Sequence, residues 1–206
     1  PTTGLPIVSQ SVSQMVDKIV EFPEKTRFNL LSPIVRGKKG EYRIIKGNVI
    51  EKGGIAFSNV TGTFPKEFAK QIPGTEKNKK FWSTGVSVVL HPANPKVPAL
   101  HFNTRHIITG KNWFGGGIDA TPCLVNKKDN KFFHLKLKKV CIKNKMNYQK
   151  YKNWCDEYFF LKHRDEPSGI GGIFFDYETK NWIKNFCFVR EVGLTSVSYT
   201  HLRAHE

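Results

Sequence analysis

Apolar and polar positions along the chain change period several times, and each change marks an element. Val12, Met15, Val16, Ile19 and Val20 recur at helical spacing behind Ser9, Ser11 and Ser13, so residues 12–20 predict a short helix that Pro23 ends. Residues 27–35 read as extended, and Arg36-Gly37-Lys38-Lys39-Gly40 as a basic turn. No Ser or Thr completes a Gly-Lys pair there, so it is not a phosphate-binding P-loop. Residues 49–60 and 85–90 have the β-branched enrichment of strands, and residues 101–109 predict another. Pro92, Pro95 and Pro98 make a stiff, extended link between the last two. Residues 148–163 read as a helix on which Tyr151, Trp154, Cys155, Tyr158, Phe159 and Lys162 cluster, a stripe that core packing explains. Residues 173–177 read as a strand. The runs Gly115-Gly116-Gly117 and Gly169-Ile170-Gly171-Gly172 mark tight turns or close backbone approaches; neither fits G-x-G-x-x-G, so a dinucleotide site is unsupported.

Composition narrows the function classes. The 206 residues are 39% hydrophobic and 13% aromatic, enough for the core of one domain, or of one domain plus a fragment. Lys and Arg number 33 against 17 Asp and Glu, a formal +16. Such a field attracts polyanions: nucleic acid, an anionic surface or a small multi-carboxylate substrate. Equally, it is what a Lys- and Asn-rich composition spreads over solvated faces. Cys123, Cys141, Cys155 and Cys187 have no C-x-x-C spacing, so neither a disulfide framework nor a structural zinc site is expected, and reduced thiols in the cytoplasm are. No apolar run has membrane-spanning length. A chain opening on Pro1 with no charged-then-apolar leader is expected to lack its true start.

The strings NVIEKGGIAFSNVTG, GVSVVLHPANPKVPALHFNTR, WFGGGIDATP and WCDEYFFLKHRDEPSGIGGIFFD follow one another between Asn48 and Asp176. In this order and spacing the segment closely resembles oxygen-dependent coproporphyrinogen III oxidases. The resemblance implies an α+β fold, a large antiparallel sheet flanked by helices, in a homodimer. It implies oxidative decarboxylation of two propionates of coproporphyrinogen III to vinyl groups, giving protoporphyrinogen IX in haem biosynthesis. Dioxygen is the electron acceptor, and the resemblance implies that neither a metal nor an organic cofactor is required beyond it.

The substrate carries four carboxylates and four pyrrole N–H groups, so its site needs cations at the rim and an acceptor near the centre. The resemblance assigns catalytic roles to Asp119, under the pyrrole nitrogens, and to His101, as proton donor. It assigns substrate contacts to Ser87 and to Asn103, Thr104 and Arg105, with Arg164 as a second carboxylate clamp. The i, i+2 spacing puts Asn103 and Arg105 on one face of a strand. Read alone, Arg105 is a surface ion-pair partner, Asp119 an Asx-turn or helix N-cap, and Ser87 a packing residue. His91, His101, His134 and His163 match positions that hold a divalent metal in some members, although their spacing is no local metal motif. Core or rim packing is the other reading of His91 and His163. Ser168 stands where the family commonly carries an Arg before GIGG, which removes one guanidinium from the rim.

The flanks read differently. Residues 1–39, with GLPIVSQSVSQMVDKIV and LLSPIVRGKKGEY, resemble a piece of UvrA, the ATPase of nucleotide excision repair, without its nucleotide-binding loop. Residues 196–206, SVSYTHLRAHE, resemble a translated sequencing adapter, which leaves residues 40–195 as a C-terminally truncated oxidase core. The expected ligands are the porphyrinogen and dioxygen. Two alternatives stand beside this: a basic nucleic-acid-binding fragment, disfavoured because aromatics and cations do not interleave as a stacking platform, and an inactive fragment.

Overall fold

A computed structural model describes residues 27–31 and 38–204. The β-branched and aromatic runs form strands β1 (Arg27–Leu31), β2 (Lys38–Lys46), β3 (Ile50–Thr63), β4 (Lys80–Pro92), β5 (Ala99–Ile108) and β6 (Asn112–Thr121). Joined by β9 (Gly172–Glu178), these make a seven-stranded antiparallel sheet in the order β1-β2-β3-β4-β5-β6-β9. The short strands β7 (Phe160–Leu161) and β8 (Glu166–Pro167) pair as a separate hairpin. Helices α1 (Lys66–Ala69), α2 (Lys127–Lys143), α3 (Tyr148–Tyr158) and α4 (Trp182–Ala204) complete the α+β architecture that the resemblance implied.

Strand alternation sends every second side chain into the core. Thr84, Val86, Val88 and Leu90 of β4 and Leu100, Phe102, Thr104 and His106 of β5 are buried on one face. There they join a core shared with Phe133, Leu137 and Cys141 of α2 and Phe188, Val192 and Tyr199 of α4. Helix starts are fixed locally: the Asn126 side chain accepts from the Lys128 N–H at 2.9 Å, and Asn147 accepts from the Lys150 N–H at 3.0 Å. Helix α3 straddles the β9 edge. Its Tyr151 packs on Phe175 on the helix-covered face, while Trp154 and Tyr158 pack on Phe174 on the other.

Several expectations need revision. The helix expected over 148–163 stops at Tyr158, and the chain turns back through β7 and β8. Of the two readings of Gly115-Gly116-Gly117, close backbone approach is the one that holds: the run lies inside β6, where a Cβ on Gly116 would stand 2.5 Å from the Asn103 carbonyl oxygen, whereas Gly169 and Gly171, at φ +57° and +70°, make the tight entry to β9. Helices α2 and α4 were not anticipated. The helix expected over 12–20 lies outside the described residues, as do Arg36 and Gly37 of the expected basic turn, while its Lys38, Lys39 and Gly40 belong to strand β2. Lys39 and Gly40 are both in β2, Thr195 and Ser196 are both in α4, and Ser196 and Tyr199 are buried.

His106 is the titratable core residue with the clearest consequence. Its ring stacks on Phe114 at 4.3 Å and meets Trp82 and Trp182 edge-on. Burial pushes its pKa down to about 4, with the Asn112 side chain pulling weakly the other way. The unfolded chain binds this proton near 6.5 and the folded chain resists it until about 4. Stability tied to His106 is therefore complete above 6.5 and falls as the pH drops through that window, by on the order of 3 kcal/mol. His106→Phe keeps the ring and removes the titration. Urea midpoints measured near neutrality and at pH 4.5 should differ less in this variant than in the parent; an undiminished difference would assign the acid sensitivity elsewhere.

Candidate active site

The face of the sheet opposite the core collects the polar side chains. Ser87 pairs with Asn103 and Val89 with His101 across β4 and β5; His101 pairs with Asp119, Asn103 with Gly117 and Arg105 with Gly115 across β5 and β6. His101, Asn103 and Arg105 therefore stand in a row on β5, and Ser87 joins them from the next strand. The expected pairing of Asn103 with Arg105 on one face is what forms.

Two acid–base pairs dominate this face. His101 Nδ1 lies 2.8 Å from Asp119 Oδ1, with Asp119 nearly buried and His101 about one-third exposed. An ionised carboxylate there holds the Nδ1 proton and leaves Nε2 as the nitrogen that exchanges protons with a ligand. The Asx-turn or helix-cap alternative for Asp119 is set aside by its place within β6; Asn126 caps the following helix. The second pair joins Arg105 Nη2, as donor, to Asp176 Oδ2 on β9. The Arg105 guanidinium also stands 5.8 Å from the Phe174 ring centre, and its Nη1 reaches Asn103 Oδ1 at 3.5 Å. Aromatic rings wall the site: Phe159 meets His101 edge-on, and Tyr158 stacks on Phe174 at 4.2 Å.

The triple glycine serves its neighbour strand. A Cβ on Gly117 would lie 3.2 Å from Phe174 Cδ2, one on Gly116 3.1 Å from Phe175 Cζ, and one on Gly115 2.3 Å from Asp176 Oδ1. The backbone carbonyls of Asn103 and Ile173, 2.5 Å and 3.0 Å from the Gly116 and Gly117 Cβ positions, close the same space together with these β9 side chains. Phe174 and Asp176 are thus the site residues that sequence reasoning missed. Their i, i+2 spacing in GIFFDYE, in a predicted strand, was the available signal.

Other expected residues are placed elsewhere. Thr104 is 4% exposed and points into the core, because the alternation that brings Asn103 and Arg105 together turns it away; a substrate contact through its side chain is excluded here. Arg164 sits between β7 and β8, exposed, with Nε donating to Glu166 Oε1 at 2.7 Å. His163 is exposed on the same hairpin, and His91 is exposed near the end of β4. His134 on α2 donates from Nε2 to the Ile170 carbonyl and accepts the Tyr148 hydroxyl at Nδ1, both at 2.8 Å. Burial lowers its pKa. With both ring nitrogens engaged in packing α2 against the β9 entry loop, His134 is not set up as a metal ligand. Among the described residues no group of three or more His, Cys, Asp or Glu side chains converges on a metal position, so the four histidines do not form the site expected of them.

A family model described as Coproporphyrinogen III oxidase matches residues 6–204. The chain belongs to the coproporphyrinogen III oxidase family. It is 48% identical over 164 residues to the oxygen-dependent coproporphyrinogen-III oxidase of Rickettsia rickettsii (strain Sheila Smith), covering 79% of this chain and 59% of that protein. The proteins of the same name from Rickettsia bellii (strain OSU 85-389) and Rickettsia akari (strain Hartford) are 47% and 46% identical over the same shares. The chain therefore spans 59% of the length of these relatives. Within this family member, the acid–base pair of β5 and β6 makes a specific spectroscopic statement. Nitrogen-15 NMR should find neutral His101 protonated at Nδ1, and Asp119→Asn should redistribute the tautomers. An unchanged tautomer in that variant would show that Asp119 does not orient the ring.

Proposed function

We propose that the polar face of the sheet binds coproporphyrinogen III and supports its dioxygen-dependent conversion to protoporphyrinogen IX. The observation that carries this is the convergence of a carboxylate-binding cation, an acid–base pair and an aromatic wall on one face of a family member. In the reaction each of two propionic acids loses carbon dioxide and becomes vinyl. The two hydrogen equivalents released per propionate reduce one dioxygen by two electrons, so no organic redox cofactor is required. Arg105 and Asn103 grip a propionate, with Ser87 beside them. Phe174 and Phe159 face the flat macrocycle. Asp119 stabilises positive charge as the ring is oxidised and as His101 takes up a proton, the way a buried carboxylate supports an imidazolium. His101 Nε2 passes protons to and from the substrate.

The divalent-metal role of His91, His101, His134 and His163 does not join this reading, because their donors do not fit one coordination sphere. A homodimer in the cytoplasm rests on the family resemblance alone. No helix among the described residues is long and apolar enough to cross a membrane. The nucleic-acid alternative draws on the +16 charge and on residues 1–39, and nothing on the polar face supports it.

Anaerobic titration with coproporphyrinogen III tests the proposal. The parent chain should bind, and Arg105→Ala should weaken binding by about tenfold or more, the range of one charge-assisted hydrogen bond. In a full-length protein carrying this segment, Asp119→Ala should abolish turnover. Salt-sensitive DNA binding with no porphyrinogen affinity would overturn the assignment in favour of the alternative.

A further inference from the structure

Strand β9 departs from regular pairing at one place. Between Phe114 and Gly116 of β6 the register shifts: Phe114 faces Glu178 and Gly116 faces Phe175, so β9 carries one extra residue around Asp176 and Tyr177. Tyr177 has φ +55°, a left-handed conformation that disfavours a bulky aromatic residue. Bulges re-aim side chains and recur beside active sites. Here the bulge brings Asp176 over Gly115, where a Cβ would lie 2.3 Å from Asp176 Oδ1 and 2.9 Å from Arg105 Nε. The Asp176 carboxylate is itself anchored, with Oδ1 accepting the Tyr177 N–H at 3.0 Å while Oδ2 accepts from Arg105. Strained backbone, an absent Cβ and an anchored carboxylate thus converge on one guanidinium.

We propose that Asp176, with Gly115 as its seat, is the positioning residue that holds Arg105 for a substrate carboxylate. The assignment rests on the porphyrinogen-binding reading above. A long arginine loses side-chain freedom on gripping a ligand, and a socket that fixes it beforehand removes that loss. Asp176 takes Nη2, Asn103 Oδ1 stands 3.5 Å from Nη1 and Phe174 lies against the guanidinium, leaving its other N–H donors for a propionate. Asp176 acts through Arg105 and need not touch substrate. Its carboxylate also balances the buried side of the cation, so Arg105 keeps a partner when no ligand is bound.

The test is a double-mutant cycle on the full chain, read by fluorescence titration with coproporphyrin III, the air-stable oxidised macrocycle that keeps all four propionates. Asp176→Asn, close in shape, should weaken binding by about tenfold in the parent and leave it almost unchanged in an Arg105→Gln background. Gly115→Ala, which wedges the pair apart, should reproduce the loss and show the same dependence on Arg105. Thermal melting of each variant reports folding separately. Equal weakening in both backgrounds would make Asp176 a purely structural residue and overturn the assignment. Tighter binding by Asp176→Asn would overturn it too, by making Asp176 a competitor for Arg105. A well-folded parent chain that does not bind the porphyrin at all would overturn the substrate reading, and this assignment with it.

Discussion

The site depends on the two-residue period of strands held in register from β3 to β9. A single-residue slip of β5 would send His101, Asn103 and Arg105 into the core and bring Thr104 and His106 out. That slip is opposed by Leu100 and Phe102, which are buried under the helices, and by His106, which is packed among Phe114, Trp82 and Trp182. The core face thereby fixes the chemistry of the other face. The same logic extends to β6 and β9, where three consecutive glycines accept the side chains of Phe174, Phe175 and Asp176. Packing and polar chemistry are two sides of one set of strands.

Charge on the polar face is arranged in pairs. The two cationic or protonatable groups that β5 places on this face each have a carboxylate one or two strands away: His101 has Asp119 on β6, and Arg105 has Asp176 on β9. Both carboxylates are more buried than their partners, so a ligand approaching this face meets the Arg105 guanidinium and the His101 ring before either carboxylate. The Arg105 N–H groups thus face an anionic ligand within the field of a chain carrying +16. Cys155, buried on α3 near Asp119, contributes no charge: burial, and then Asp119 itself, push its thiol up to about 12.

Much of this was legible in the sequence, and for physical reasons. The β-branched runs predicted β3, β4 and β5, and the i, i+2 rule placed Asn103 beside Arg105. The order of four strings pointed to the family. Helix α2 escaped because lysines dominate it and blur its apolar period; only Phe133, Leu137 and Cys141 mark its inner face. Strand β6 escaped because Gly115, Gly116 and Gly117 lack the side chains that signal a strand, and the partner that requires them lies some sixty residues onward in β9. Thr104, which the resemblance groups with Asn103 and Arg105, has its side chain on the core face because a strand alternates. His134 could not be separated from a ligand without seeing Tyr148 and the Ile170 carbonyl close on its two nitrogens.

On the proposed reading, the polar face of the sheet, not the lysine-rich helix surface, receives the tetracarboxylate macrocycle. Backbone NMR of the chain titrated with coproporphyrin III tests this most directly. The largest shift changes should fall on β5, β6 and β9, around His101, Arg105, Gly117 and Phe174, with α2 little affected. Changes concentrated on the exposed lysines of α2, with β5 silent, would contradict it and reduce the interaction to a nonspecific attraction between charges.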